Sequence, residues 1–137
     1  MKNYDYRNDL RQTNDANRRL YLVVCAKESV HVSEERGLKS LLSLVGETQW
    51  NGAAAADKVV GKAAALLFVL LKVKSVYAEV LTFSAKSVLE RNGVECVYGK
   101  LVDRLIDPNG DICRTELAVE SIDNPSDAPV ALNNLVK

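Results

Sequence analysis

The chain has 137 residues, of which 47% are hydrophobic and 26% charged. That is the size and composition of one globular domain, large enough to bury a core without a disulfide or metal. Lys plus Arg and Asp plus Glu each number 18, so the net charge is zero, which argues against the basic surface of a general nucleic-acid binder. The three cysteines, Cys25, Cys96 and Cys113, are odd in number and widely spaced. They read as free thiols in a reducing cytoplasm, not as a disulfide framework.

Residues 4–18 are polar, with sparse apolar positions, and read as a marginal N-terminal helix in an extension over 1–19. The domain proper then spans 20–137. The amino end lacks the apolar stretch of a signal peptide. Leu20 to Ala26 is β-branched and aromatic, the pattern of a buried strand. After the polar break Lys27-Glu28-Ser29, Val30 and Val32 alternate with His31 and Ser33. This predicts a second strand whose wet face carries the histidine, and together the two make an antiparallel hairpin.

Gly37 breaks that strand. Leu38, Leu41, Leu42 and Val45 follow at helical spacing, and Gly46 closes the helix. Residues 47–52 form a loop in which Gln49 and Trp50 either stack on a base or plug the edge of the core. Ala53–Ala56 fits a short strand or the lead-in to a helix. Asp57 is a plausible N-cap, with Lys58–Leu71 as a helix apolar nearly all round and therefore central and buried. Its longest apolar run, Ala63 to Leu71, is far short of the roughly 20 residues that cross a bilayer.

Ser75–Leu81 predicts a strand, Ser84 starts a helix that stops at Asn92-Gly93, and Val94–Tyr98 predicts another strand. Leu101–Ile106 reads as a short helix or turn, and Asp107-Pro108-Asn109-Gly110 as a turn. Ile112 to about Ile122 reads as a helix ended by Asn124-Pro125. Ser126 and Asp127 cap a last helix that runs to the C-terminus. The β-α-β-α core predicts a three-layer α-β-α sandwich with a mixed sheet and the N-terminal antiparallel hairpin. The crossover between strands 75–81 and 94–98 should be parallel and right-handed.

Several strings carry a family likeness. These are Arg36-Gly37, then Asp57-Lys58-Val59-Val60-Gly61-Lys62-Ala63-Ala64-Ala65-Leu66-Leu67, then Val76-Tyr77-Ala78-Glu79-Val80, and Lys100-Leu101-Val102. With them, residues 20–125 resemble an uncharacterised bacterial and archaeal family, domain of unknown function 1893, placed by fold in the cytidine deaminase-like superfamily. The resemblance implies a cytidine deaminase-like α/β fold and no assigned reaction. Where the family tends to carry Asn-Arg, a glycine-rich turn and Cys-Pro-x-Glu, this chain reads Asp107 to Glu116. Cys113 and Glu116 keep their spacing, while the Asn-Arg pair and the proline are missing.

Zinc deamination needs three His or Cys ligands and a glutamate in an H-x-E…P-C-x-x-C pattern. His31 is the lone histidine and there is no C-x-x-C, so no metal and no cofactor are expected. The strongest ligand candidates are Arg36, Asp57, Lys58, Gly61 and Lys62. A helix N-terminus offers free N–H groups and a partial positive charge. Gly61 admits a close approach, and Lys58 and Lys62 fall at i, i+4.

Cys113 and Glu116, three apart at a predicted helix start, are weaker candidates for catalysis. The leading expectation is a zinc-free domain that binds a small anionic or nucleotide-like ligand at the N-terminus of helix 58–71. The other is a structural or interaction protein acting as a homodimer. Whether the chain is an enzyme stays open at this point, a cysteine-dependent reaction at Cys113 ranking last. Neither a nucleic acid nor a membrane is an expected partner.

Overall fold

The β-branched run Leu22–Cys25 forms strand β1, and Val30–Ser33 returns beside it as β2. The computed structural model describes residues 21–35 and 38–135, so the reading of a helix over 4–18 lies outside the described residues. The chain continues through a short helix α1 (Lys39–Leu44) and a 3-10 turn at Thr48–Trp50 to strand β3 (Ala54–Val60). Helix α2 (Lys62–Leu71), strand β4 (Ser75–Thr82), helix α3 (Phe83–Arg91) and strand β5 (Glu95–Val102) follow. Two short helices, α4 (Arg114–Ala118) and α5 (Ala128–Asn133), complete the order.

The five strands make one mixed sheet in the order β2-β1-β3-β4-β5. β1 runs antiparallel to both β2 and β3, while β3, β4 and β5 are parallel. The expected hairpin forms, but its strands are shorter than the sequence pattern suggested and β1 also pairs with β3. The parallel relation between the strands flanking α3 is as anticipated.

Four segments depart from the sequence reading. The helix assigned to 58–71 begins at Lys62, because Ala54–Val60 is a seven-residue strand. Asp57 therefore caps no helix. Val59 and Val60 are β-branched and favour the pleat, and the slot between β1 and β4 outweighs a local capping signal. The last strand runs to Val102, not Tyr98. The helix expected over 112–122 is trimmed to Arg114–Ala118, since Ile112 pairs back with Ile106. The last helix ends at Asn133 and is preceded by a 3-10 turn over Pro125–Asp127.

The core lies on one face of the sheet. Leu22, Val24, Ala55, Val76 and Ala78 are buried there in a single cluster with Ala63–Phe68 and Leu71 of α2. α2 is buried nearly all round because α1, α3 and the C-terminal helices surround it, as a helix without a polar stripe requires. Thr82 accepts the Ala85 N–H at 3.1 Å and caps α3, which starts at Phe83, one residue ahead of the start expected at Ser84.

The alternation in β2 is inverted relative to the expectation. Register pairs Val24 with His31 and Leu22 with Ser33, so His31 and Ser33 share the core face. Ser33 is buried, while Val30 and Val32 are 65% and 49% exposed. Ser33 Oγ accepts the Glu35 N–H at 3.1 Å. The His31 ring meets Ser40 Oγ at 2.7 Å and lies edge-on to Trp50. The ring is thus half-buried between β2 and α1, not on a wet face.

Candidate functional site

In parallel α/β sheets, sites gather at the carboxyl ends of the strands. Here β3 ends at Val60, Gly61 follows, and α2 begins at Lys62. The first N–H groups of any helix lack intrahelical partners. At α2 they are met by a side chain from far along the sequence. Glu116 Oε1 accepts the Lys62 N–H at 2.8 Å and Oε2 accepts the Ala63 N–H at 2.9 Å.

The approach depends on Gly61. A Cβ at that position would overlap the Glu116 carboxylate. Lys62 adds a second tie, its Nζ donating to the Glu120 carbonyl at 2.9 Å. Burial pushes the Glu116 carboxyl up from its ordinary range, with the Ala63 and Lys62 N–H groups and the Lys62 charge pulling the other way.

Asp57 sits three residues before the end of β3, level with Leu22 on β1 and Ala78 on β4. Burial holds its carboxyl well above the usual range, opposed by the N–H groups of Lys58 and Val59. Part of the residue reaches solvent, but the carboxyl itself is closely surrounded by chain. Lys58 points to the opposite face of the sheet and pairs with Glu79 at 3.5 Å. Lys58 and Lys62 therefore do not share a helix face. Arg36 lies outside the described residues.

Of the four ligand candidates among the described residues, only Gly61 and Lys62 meet at the start of α2. Glu116, read from sequence as a weak catalytic candidate, is the residue that joins them. No local signal reveals this, because the partners are 54 positions apart.

Cys113 is buried in a small cluster with Val80, Val102 and Leu105. Its Sγ lies 3.4 Å from Thr115 Oγ1, and its carboxyl neighbour Glu116 faces away to α2. Trp50 is buried, with Nε1 donating to Glu47 Oε1 at 2.8 Å, so it closes the edge of the core. Among the described residues, no three His, Cys, Asp or Glu side chains gather in a way that could hold a metal ion. No helix among them is long and apolar enough to cross a membrane.

Sequence reasoning also missed a surface. On the face of the sheet away from α2, Tyr77 and Val97 are 44% and 54% exposed, across β1 and β3 from Val30 and Val32. Between them Val23, Ala54, Ala56 and Ser75 line a shallow trough of about 320 Å³. The alternation of Val76 and Ala78 with Tyr77 and Glu79 carried the signal for the outward residues of β4.

These features define an α/β domain built on a five-stranded mixed sheet, its central helix capped by the chain's own carboxylate. The chain belongs to the DUF1893 family, a domain of unknown function described as TM1506, whose family model matches residues 12–136. A crystal structure of a DUF1893 family protein (TM1506) from Thermotoga maritima is similar in fold, with a TM-score of 0.77 at 24% identity. The likeness covers 94% of this chain and 88% of that one. No curated protein matches the chain.

Proposed function

We propose that this domain acts by interaction, without catalysis, and that its working form is a homodimer. The observation that carries the reading is the inverted strand β2, which turns Val30 and Val32 to solvent and His31 and Ser33 to the core. Exposing valines on a pleated face is unfavourable unless another surface removes them from water. Sedimentation velocity of the full chain tests this. A species of twice the chain mass at tens of micromolar is the expected result, and a monomer throughout that range defeats the reading.

A second reading is a small anionic or nucleotide-like ligand at the start of α2. It is favoured by the fact that two backbone N–H groups there already hold a carboxylate, the interaction an anionic group makes at a helix N-terminus. Such a ligand displaces Glu116. A thermal-shift series with inorganic phosphate and nucleotides, run on the wild type and on Glu116→Gln, tests it. Stabilisation that is larger in the variant supports the reading, and no stabilisation of either protein ends it.

Both readings sit within a zinc-free, cytidine deaminase-like fold. The antiparallel hairpin ahead of a parallel β-α-β-α-β unit supports that assignment. Three free cysteines, one of them exposed, support a cytoplasmic setting.

A further inference from the structure

We infer that the homodimer forms face to face through the outer side of the sheet, a second copy of this chain seating its ridge in the trough. The inference rests on the homodimer reading above and names its surface.

The outer face is not flat. Val30 and Val32 stand out on β2 at one side, and Tyr77 and Val97 stand out on β4 and β5 at the other. The strands between them carry small side chains, and the trough there is lined by Val23, Ala54 and Ala56. An isologous contact needs each surface to carry both a projection and a matching recess, since residue i of one copy meets residue j of the other and the reverse. A large-small-large profile on one face meets that condition.

The area fits a weak dimer. Five strands spaced by about 4.8 Å, with lengths of roughly 13 to 26 Å, present on the order of 450 Å² per copy. Two copies bury roughly 900–1,000 Å², below the roughly 1,200 Å² at which stable specific interfaces begin, so the dimer is of the weak, concentration-dependent kind. The Lys58–Glu79 ion pair lies at one end of the face and Glu95 borders the trough at the other. This leaves the centre apolar and the ends polar, as at protein interfaces.

Cys25 is a native reporter, because it is exposed and lines the trough. The test is the rate of iodoacetamide labelling of Cys25 in the full chain, read by peptide mass. The rate should slow by about tenfold between about 1 µM and about 1 mM protein, as mass action shifts monomer to dimer. Val97→Lys, at an exposed site, and Ala56→Glu, in the trough, should restore fast labelling at high concentration. If Ala56→Glu does not fold, Val97→Lys alone decides.

A labelling rate independent of concentration overturns the inference. That includes a rate slow at every concentration, which would mean that residues 1–20 cover the trough. Slowing that persists in Val97→Lys also overturns it. Sedimentation run alongside separates the failures: a dimer with unprotected Cys25 leaves the homodimer reading standing and removes only this surface.

Discussion

Glu116 closes over Gly61, and neither position tolerates a change that ignores the other. The carboxylate reaches the N–H groups of Lys62 and Ala63 only because nothing projects from the Gly61 Cα. A cap usually comes from the residue just before a helix. Here Gly61 holds that place and offers no side chain, so a distant glutamate satisfies the same donors.

Removing the cap should lower stability. Glu116→Ala leaves two N–H groups at the start of a buried helix without their partner, at a cost of about 1–2 kcal/mol. Gly61→Ala should cost about 1–3 kcal/mol by pushing the carboxylate away. The double variant should cost clearly less than the sum, because the second change has nothing left to disturb. Urea denaturation of the four proteins measures the coupling, and additive losses would contradict the contact.

The pH dependence of stability should run opposite to that of an ordinary salt-bridged carboxylate. Burial raises both Asp57 and Glu116. A carboxyl raised in the folded chain binds its proton more tightly there than when unfolded. Between the unfolded value and the raised folded value the fold holds the extra proton, so stability falls as pH rises through that window. Asp57→Asn removes one of the two penalties. Its stability relative to wild type should be better at pH 8 than near the unperturbed Asp value of about pH 4. Urea melts at a series of pH values read the difference, and a constant offset would refute it.

Thr82 makes a separable contribution. Its hydroxyl caps α3 through the Ala85 N–H and is buried. Thr82→Ala should therefore cost about 1 kcal/mol, and Thr82→Ser much less, because serine retains the acceptor. Thermal unfolding of both variants checks the ranking.

The three thiols should react in a fixed order. Cys25 is exposed, Cys96 intermediate and Cys113 buried. Burial, with a further push from Glu90, raises the Cys96 thiol and holds back its thiolate. Ellman's reagent on dilute native protein should modify Cys25 first, Cys96 slowly and Cys113 only on unfolding. Fast labelling of Cys113 in the folded protein would revive a nucleophilic role for it.

The legible parts of the sequence were those that obey one rule at a time. Ala63–Leu71, apolar on every side, declared a central helix, and Ser75–Leu81 and Val94–Tyr98 declared neighbouring strands. Asn92-Gly93 marked a stop, and the helix does end at Arg91, with Gly93 at φ 74°. Asp57 misled because a capping residue and a strand residue look alike until the partner strands are known. The slot between β1 and β4 decided the matter.

Val30 and Val32 misled because alternation fixes which residues share a face, not which face is inside. Only the register against β1 settles that. Glu116 was visible as a residue of interest, but its partner was not, since the contact spans the whole β4-α3-β5 unit.

That span orders events on the ribosome. Helix α2 is synthesised 53–54 residues before the glutamate that binds its first N–H groups. At about 5–20 residues per second the interval is roughly 3–10 s. Throughout it the first turn of the most apolar helix has no carboxylate to meet. A nascent chain stalled before Glu116 therefore presents an unfinished core, which waits for Val119, Ala128 and Leu132 as well as for that carboxylate.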